Sequence, residues 1–130
     1  ADEKMNTAQL ECAMKAFLKE SGMKAVGYCV TGCREKDPPR YRVFLEAVGD
    51  PPGNPSALMD QKLSESCFGY RGARSAEEVG EAELILLPPD TFEEYERLRT
   101  GTVKRSEQSK PLKIITTQEQ IEFFKRKGRL

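Results

Sequence analysis

The side chains best suited to bind an anion are gathered near the C-terminal end of the 130-residue chain. From Lys104 to Leu130 there are eight basic and three acidic residues, a net charge of +5, whereas Ser75 to Thr100 holds eight acids and two bases, a net charge of −6. Such a basic segment could bind a nucleotide or a phosphorylated partner. The alternative is a solvated surface, in which Lys125, Arg126 and Lys127 simply favour the last turn of a helix.

Several kinds of chemistry are missing from the sequence. The chain has no histidine, so it lacks the side chain most often used for proton transfer near neutral pH, and Ser–His and Cys–His nucleophile pairs are excluded. It has neither a G-x-x-x-x-G-K-S/T loop nor a G-x-G-x-x-G loop after a strand, and therefore no evident way to bind a nucleotide alone. Basic and acidic residues number 21 each, which does not favour nucleic acid as a partner.

The four cysteines favour neither a metal site nor a disulfide framework. Cys29 and Cys33 form a C-x3-C pair, but there is no second pair and no histidine, so no metal site is predicted. Cys12 and Cys67 stand among apolar residues, which predicts buried, reduced thiols.

The chain shows no feature of a membrane or secreted protein. It contains no apolar run of about 18 residues, and its first residues lack the basic-then-apolar order of a signal peptide. We therefore expect a cytoplasmic protein with no membrane partner.

The elements that must position the basic segment can be predicted from hydrophobic spacing. Helical spacing predicts four helices, which cover residues 6–21, residues 56–70 with Ser56 as the cap, a segment opening at Asp90-Thr91, and a last segment capped by Thr116 or Thr117. Alternating or short apolar runs predict strands over residues 25–30, 41–48, 83–87 and 113–116. The order α-β-β-α-β-α-β-α predicts a single α+β domain over residues 1–130. We expect one small mixed, largely antiparallel sheet of about four strands, with helices packed mainly on one face.

Several local motifs, in a shared order, resemble a known family. They are Tyr41-Arg-Val-Phe-Leu-Glu46, Leu63 followed by Tyr70 and Arg74, Leu86-Leu-Pro-Pro-Asp-Thr-Phe-Glu93, and Gln108-Ser109-Lys110-Pro111-Leu112-Lys113. Together they resemble the C-terminal domain of the auxin-responsive (Gretchen Hagen) acyl acid–amido synthetases, members of the adenylate-forming ligase superfamily.

The resemblance implies a role within a larger ATP-dependent ligase. In such an enzyme a large N-terminal domain, absent from these residues, binds ATP with Mg²⁺ and activates an acyl acid, which an amino acid amine then attacks. The small domain rotates between the two half-reactions. Lys110 matches the lysine that it delivers, with Gln108 and Lys113 as nucleotide-binding or loop-supporting residues.

The resemblance also implies what this chain would do by itself. The isolated 130 residues are expected to be monomeric, to bind no cofactor and to be inactive. The competing hypothesis is a freestanding protein-interaction module that kept the fold without catalysis.

Overall fold

The computed structural model describes residues 7–33, 38–100, 115 and 117–128. Five helices and three strands occupy these ranges: α1 (Thr7–Ser21), β1 (Lys24–Cys33), β2 (Arg40–Val48), α2 (Pro55–Ser66), α3 (Phe68–Ser75), β3 (Glu83–Leu86), α4 (Thr91–Thr100) and α5 (Gln118–Lys127). Within the described ranges, no helix has the length and apolar character needed to cross a membrane.

The helix α1 confirms the prediction made from spacing. Leu10, Met14 and Phe17 fall on one face and are all essentially inaccessible to solvent. Gly22 ends the helix in a left-handed conformation with φ of 79°, and its N–H donates to the Leu18 carbonyl at 2.9 Å. Glycine adopts this conformation without steric cost, and it is common just after a helix.

The sheet has the order β1-β2-β3. β1 and β2 pair antiparallel, as predicted, with Val30 opposite Val43 and one irregularity between Ala25 and Gly27. β3 pairs parallel to β2, with Phe44 opposite Ile85. A parallel neighbour requires a crossover connection, and α2 and α3 supply it between β2 and β3.

Alternating side chains of the sheet enter two separate apolar cores. Val43 and Leu45 point into the first, which is closed by α1, α2 and α3. Phe44 points into the second, where it meets Phe92 and Tyr95 of α4, together with two phenylalanines of α5. Three helices thus cover one face and two cover the other.

The predicted α+β class and the small mixed sheet are confirmed. The described residues contain three strands rather than about four, because the predicted strand over residues 113–116 lies outside them except for Ile115. Helices lie on both faces, with the larger number on the face of the first core.

The predicted helix from Ser56 to Tyr70 is in fact two helices. Cys67 has an extended backbone, with φ −139° and ψ 107°, and separates α2 from α3. Its buried thiol donates to the Gln9 side-chain carbonyl of α1 at 3.3 Å. A single extended residue leaves Leu63 and Tyr70 facing the same core, so hydrophobic spacing could not reveal the break.

The cap predicted at Ser56 is also wrong, because α2 already begins at Pro55. Asn54 is the N-cap, and its side-chain oxygen accepts from the Ala57 N–H at 3.2 Å. Pro55 fills the first helical position, where a missing N–H costs nothing. The Ser56 hydroxyl instead accepts from the Leu84 N–H at 2.9 Å, which fastens β3 to α2.

Candidate functional site

The three residues predicted for the site, Gln108, Lys110 and Lys113, lie outside the described residues, and the structure does not test them. The elements on either side of their segment are described. The segment follows α4, which ends at Thr100, and comes before Ile115 and α5. The elements that hold the two ends of this segment therefore define the candidate site.

The C-terminal end of the segment is fixed at Ile115. Its N–H donates to the Val30 carbonyl of β1 at 2.9 Å, and its side chain is buried in the second core. Lys110 precedes it by five residues, so even a fully extended chain would span only about 18 Å between their Cα atoms. Ile115 therefore holds the C-terminal end of the segment at the edge strand β1.

The N-terminal end depends on α4, whose first turn is held by Glu46 of β2. The two Glu46 carboxylate oxygens accept from the N–H of Asp90 at 2.7 Å and the N–H of Phe92 at 2.9 Å. The first N–H groups of a helix have no partner within the helix, and a carboxylate also complements the positive end of its dipole. This contact joins two of the motifs that carried the family resemblance.

The prediction that Asp90-Thr91 opens α4 is confirmed. Asp90 adopts a left-handed backbone with φ of 68°, and the Thr91 hydroxyl donates back to the Pro88 carbonyl at 2.7 Å. Aspartate tolerates this conformation better than most residues. The turn therefore directs the Asp90 N–H toward Glu46.

α4 and α5 are joined by direct contacts between their side chains. The Gln120 amide donates to the Tyr95 hydroxyl at 3.0 Å, and the Lys127 ammonium meets the Glu94 carboxylate at 2.5 Å. The rings of Tyr95 and Phe124 lie 5.1 Å apart. Because α4 precedes the 101–114 segment and α5 follows it, these contacts fix the relative positions of the helices at its two ends.

Between α4 and α5 lies an open groove. Aromatic, aliphatic, polar and charged side chains line it: Tyr95, Leu98, Thr117, Glu119, Gln120, Glu122, Phe123 and Arg126. None of these lining residues is a nucleophile paired with a base. The aromatic and charged side chains of the groove are suited to contact with another group.

The basic end of α5 has structural partners. Lys127 pairs with Glu94, and the guanidinium of Arg126 lies 5.7 Å from the centroid of the Phe123 ring. Thr117 forms the predicted cap, as part of a capping box with Gln120. For Lys127 and Arg126 the structure favours the helix-end interpretation over an anion site.

A buried polar cluster, which was not predicted from the sequence, joins α2, α3 and the segment before β3. The Asp60 carboxylate accepts from the Tyr70 hydroxyl, from Arg74 Nε at 3.0 Å and Nη2 at 3.1 Å, and from the Ala82 N–H at 3.1 Å. The feature of the sequence that could have indicated this cluster is Asp60, an acidic residue on the apolar face of α2, three residues before Leu63. Tyr70 and Arg74 had appeared only as parts of a family motif.

The electrostatics of this cluster hold Asp60 ionised. Burial alone would raise its pKa, but hydrogen bonds from Arg74, Tyr70 and the Ala82 amide outweigh burial, so the pKa of Asp60 lies below its ordinary value. Burial is the largest cause and the hydrogen bond to Asp60 the second, and both raise the pKa of Tyr70 well above its ordinary value. Tyr70 therefore remains a hydrogen-bond donor at any physiological pH.

The cysteines lie apart from any metal-binding arrangement. Cys29, Cys33 and Cys67 are buried, and none of the four cysteines takes part in a disulfide. Across residues 7–33, 38–100, 115 and 117–128, no three His, Cys, Asp or Glu residues are grouped so as to hold a metal ion. The predicted burial of Cys12 is wrong: it is exposed, because it lies on the side of α1 opposite Leu10 and Met14.

Comparison with solved structures shows that this fold occurs in known proteins. It superposes on "GH3.15 acyl acid amido synthetase" with a TM-score of 0.76, at 17% identity over 92% of this chain. It superposes on "AtGH3.15 acyl acid amido synthetase in complex with 2,4-DB" with a TM-score of 0.70, at 19% identity over 92% of this chain. At these identities the likeness shows the shared fold. This chain spans only 23% and 22% of those two chains.

The sequence then gives the family. The GH3 family C-terminal domain matches residues 8–119. The chain therefore belongs to the GH3 family, as a C-terminal domain, and the resemblance inferred from its motifs is confirmed. No curated protein sequence matches the chain with significance.

Proposed function

We propose that this chain serves as the mobile C-terminal domain of an ATP-dependent acyl acid–amido synthetase. The complete enzyme would activate a carboxylic acid as its adenylate and transfer the acyl group to an amino acid amine. This domain would bring Lys110 to the active site by rotation and would be inactive alone. The observation that carries the proposal is the family match over residues 8–119.

The size of the related enzymes supports a role within a larger protein. The two solved synthetases are roughly four times as long as this chain, which aligns with only 23% and 22% of them. A domain without histidine and without a phosphate-binding glycine loop needs another domain to bind the nucleotide. The partner in this proposal is the large N-terminal domain of the same protein.

Lys110 is the group through which this chain would act on the reaction. A compact ammonium on a flexible stem can follow negative charge as it develops on phosphate oxygens. Gln108 and Lys113 would support the segment or contact the nucleotide. ATP would supply the activating adenylyl group when bound. Because the described residues contain no grouped metal ligands, we assign the binding of Mg²⁺ to the larger domain.

The described structure contains features suited to this role. The segment that carries Lys110 lies between α4, held by Glu46, and Ile115, held by Val30. A catalytic side chain must be held close to its productive geometry by its surroundings. Rigid attachment at both ends would let a rotation of the whole domain carry the lysine with it.

The length of the native protein tests the proposal against a freestanding interaction module. Mass spectrometry of the protein purified from its source cells should give a chain several times longer than 130 residues. The isolated 130 residues should show no ATP–pyrophosphate exchange above a protein-free blank. A native product of about 130 residues would overturn the proposal and favour the interaction module.

A further inference from the structure

The first turn of α3 exposes a large aromatic side chain. Phe68 is 81% exposed, whereas Val48, Leu98 and Val26, the next most exposed large apolar residues in the described part of the chain, are 65%, 64% and 61% exposed. It owes this position to the extended residue Cys67, which starts a new helix with Phe68 directed outward and Tyr70 inward. Phenylalanine is the largest apolar side chain on this surface.

Two neighbours on α3 make Phe68 suitable for docking. The Arg71 guanidinium lies 5.0 Å from the centroid of its ring, which restricts the ring before any partner arrives. A Cβ added at Gly72 would meet nothing within 4 Å, so a partner backbone could approach closely there. Aromatic and arginine side chains are the types enriched at the centres of protein interfaces.

Charged residues of α1 and α2 extend this region. Lys62 pairs with Glu20 at 2.7 Å and with Glu65 at 3.6 Å. The pKa of Glu65 is lowered by the hydrogen bond from Gln61, by Lys62 and also by the charge of Arg71, which places Arg71 in the field of these charges. An aromatic group beside charged residues is the usual arrangement of an interface centre and its rim.

We propose that the α3 patch, made of Phe68, Arg71 and Gly72, docks against the larger domain of the same GH3 enzyme. Phe68 enters an apolar pocket of that domain, and Arg71 faces a carboxylate beside the pocket. The inference rests on the proposed function. The larger domain is chosen as the occupant because related synthetases devote more than three-quarters of their chain to regions outside this fold. A second copy of the chain and an unrelated protein are the competing occupants.

Photo-crosslinking in the full-length enzyme tests the docking. A photoreactive phenylalanine analogue replaces Phe68, and the matched control carries the same analogue at Val48, which is 65% exposed but lies at the end of β2. After irradiation, peptide mapping should find Phe68 joined to the N-terminal domain within one chain, severalfold more often than Val48. Addition of Arg71→Glu should reduce that yield severalfold. Crosslinks only to a second copy, only to another protein, or to nothing would overturn the inference.

The native chain length separates this inference from the proposal on which it rests. If the native protein is only about 130 residues long, both fail. If it is a long chain with exchange activity and the Phe68 analogue gives no crosslink to its N-terminal domain, the docking inference alone fails.

Discussion

Asp60 shows how one ionised side chain can hold three elements together. Its carboxylate accepts from α3 through Tyr70 and Arg74, and from the chain before β3 through the Ala82 N–H. The residue is only 9% exposed. Loss of its charge would weaken these hydrogen bonds and turn one acceptor oxygen into a donor group beside other donors, and an unsatisfied buried polar group is costly.

We predict that Asp60→Asn lowers the free energy of unfolding by about 2–3 kcal/mol at pH 7, measured by urea denaturation. The pKa of Asp60 is lowered in the folded protein, so its ionised form contributes stability that is fully present above the unfolded pKa of about 4. That stability is lost as the pH falls through the folded pKa. The difference between wild type and Asp60→Asn should therefore shrink below pH 4. A difference that stays constant down to pH 2 would contradict this account.

Some features of individual residues could be predicted from the sequence, and others could not. It found the buried positions of α1, because those depend on a regular spacing. It failed at Cys12, where the neighbouring apolar residues in sequence were taken as neighbours in space. It could not find the Asp60 cluster, because the donors come from positions up to 22 residues away and no local pattern brings them together.

At the scale of elements, α4 depends on contacts made by other strands and helices. The Glu46 carboxylate of β2 accepts from backbone N–H groups of its first turn. Its Tyr95 and Glu94 side chains accept hydrogen bonds from side chains of α5. In this proposal α4 also leads into the segment that carries Lys110. A loosened α4 would therefore affect stability and, in the full enzyme, activity.

We predict that Glu46→Ala lowers the free energy of unfolding by about 2–3 kcal/mol, because it removes a buried carboxylate that accepts two backbone N–H groups. Glu93→Ala is the matched control: Glu93 is in the same first turn, but it is exposed and pairs with Arg97 at 3.6 Å. Such exposed pairs contribute about 0.5 kcal/mol. Equal losses in the two variants, measured by urea denaturation, would show that Glu46 has no special role.

A close contact between β1 and α4 gives a further prediction at this scale. A Cβ added at Gly27 would lie 2.9 Å from the Phe92 ring. Gly27→Ala should therefore lower the free energy of unfolding by about 1–3 kcal/mol through overpacking.

Urea denaturation measures the stability of Gly27→Ala, and Gly72→Ala is its control, with an expected change of the opposite sign. Gly72 lies in α3, and an added Cβ there meets no atom within 4 Å. Gly72→Ala should raise the free energy of unfolding by about 0.5–1 kcal/mol, because alanine is the better helix former. A Gly27→Ala variant as stable as the wild type would show that the β1–α4 contact is looser than described.

Element types were more predictable than their boundaries. The strands and most helices follow from hydrophobic period, which a single sequence displays directly. The extended residue at Cys67 and the shift of the α2 cap from Ser56 to Asn54 do not change that period. The N-cap is the residue whose side chain accepts from a free N–H group of the first turn, and here that residue is Asn54. The Ser56 hydroxyl instead accepts from the Leu84 N–H of β3, which is distant in sequence.

At the scale of the whole molecule, the described residues have the fold of a GH3 C-terminal domain, whereas the residues predicted to carry the chemistry lie outside them. The family and the fold are shown, and both were predicted from a few ordered motifs together with periodicity. Lys110, Gln108 and Lys113 stay predictions. Their role would depend on a nucleotide held by another domain, so it is tested in the complete enzyme.

The half-reaction catalysed by the complete enzyme tests the central claim most directly. ATP–pyrophosphate exchange is measured for full-length protein carrying Lys110→Ala, with Lys104→Ala in the same segment as the matched control. Removal of one group that stabilises transition-state charge typically costs about 100-fold or more. We predict a loss of that order for Lys110→Ala, near-normal exchange for Lys104→Ala, and unchanged thermal unfolding for both. Undiminished exchange by Lys110→Ala would contradict the account.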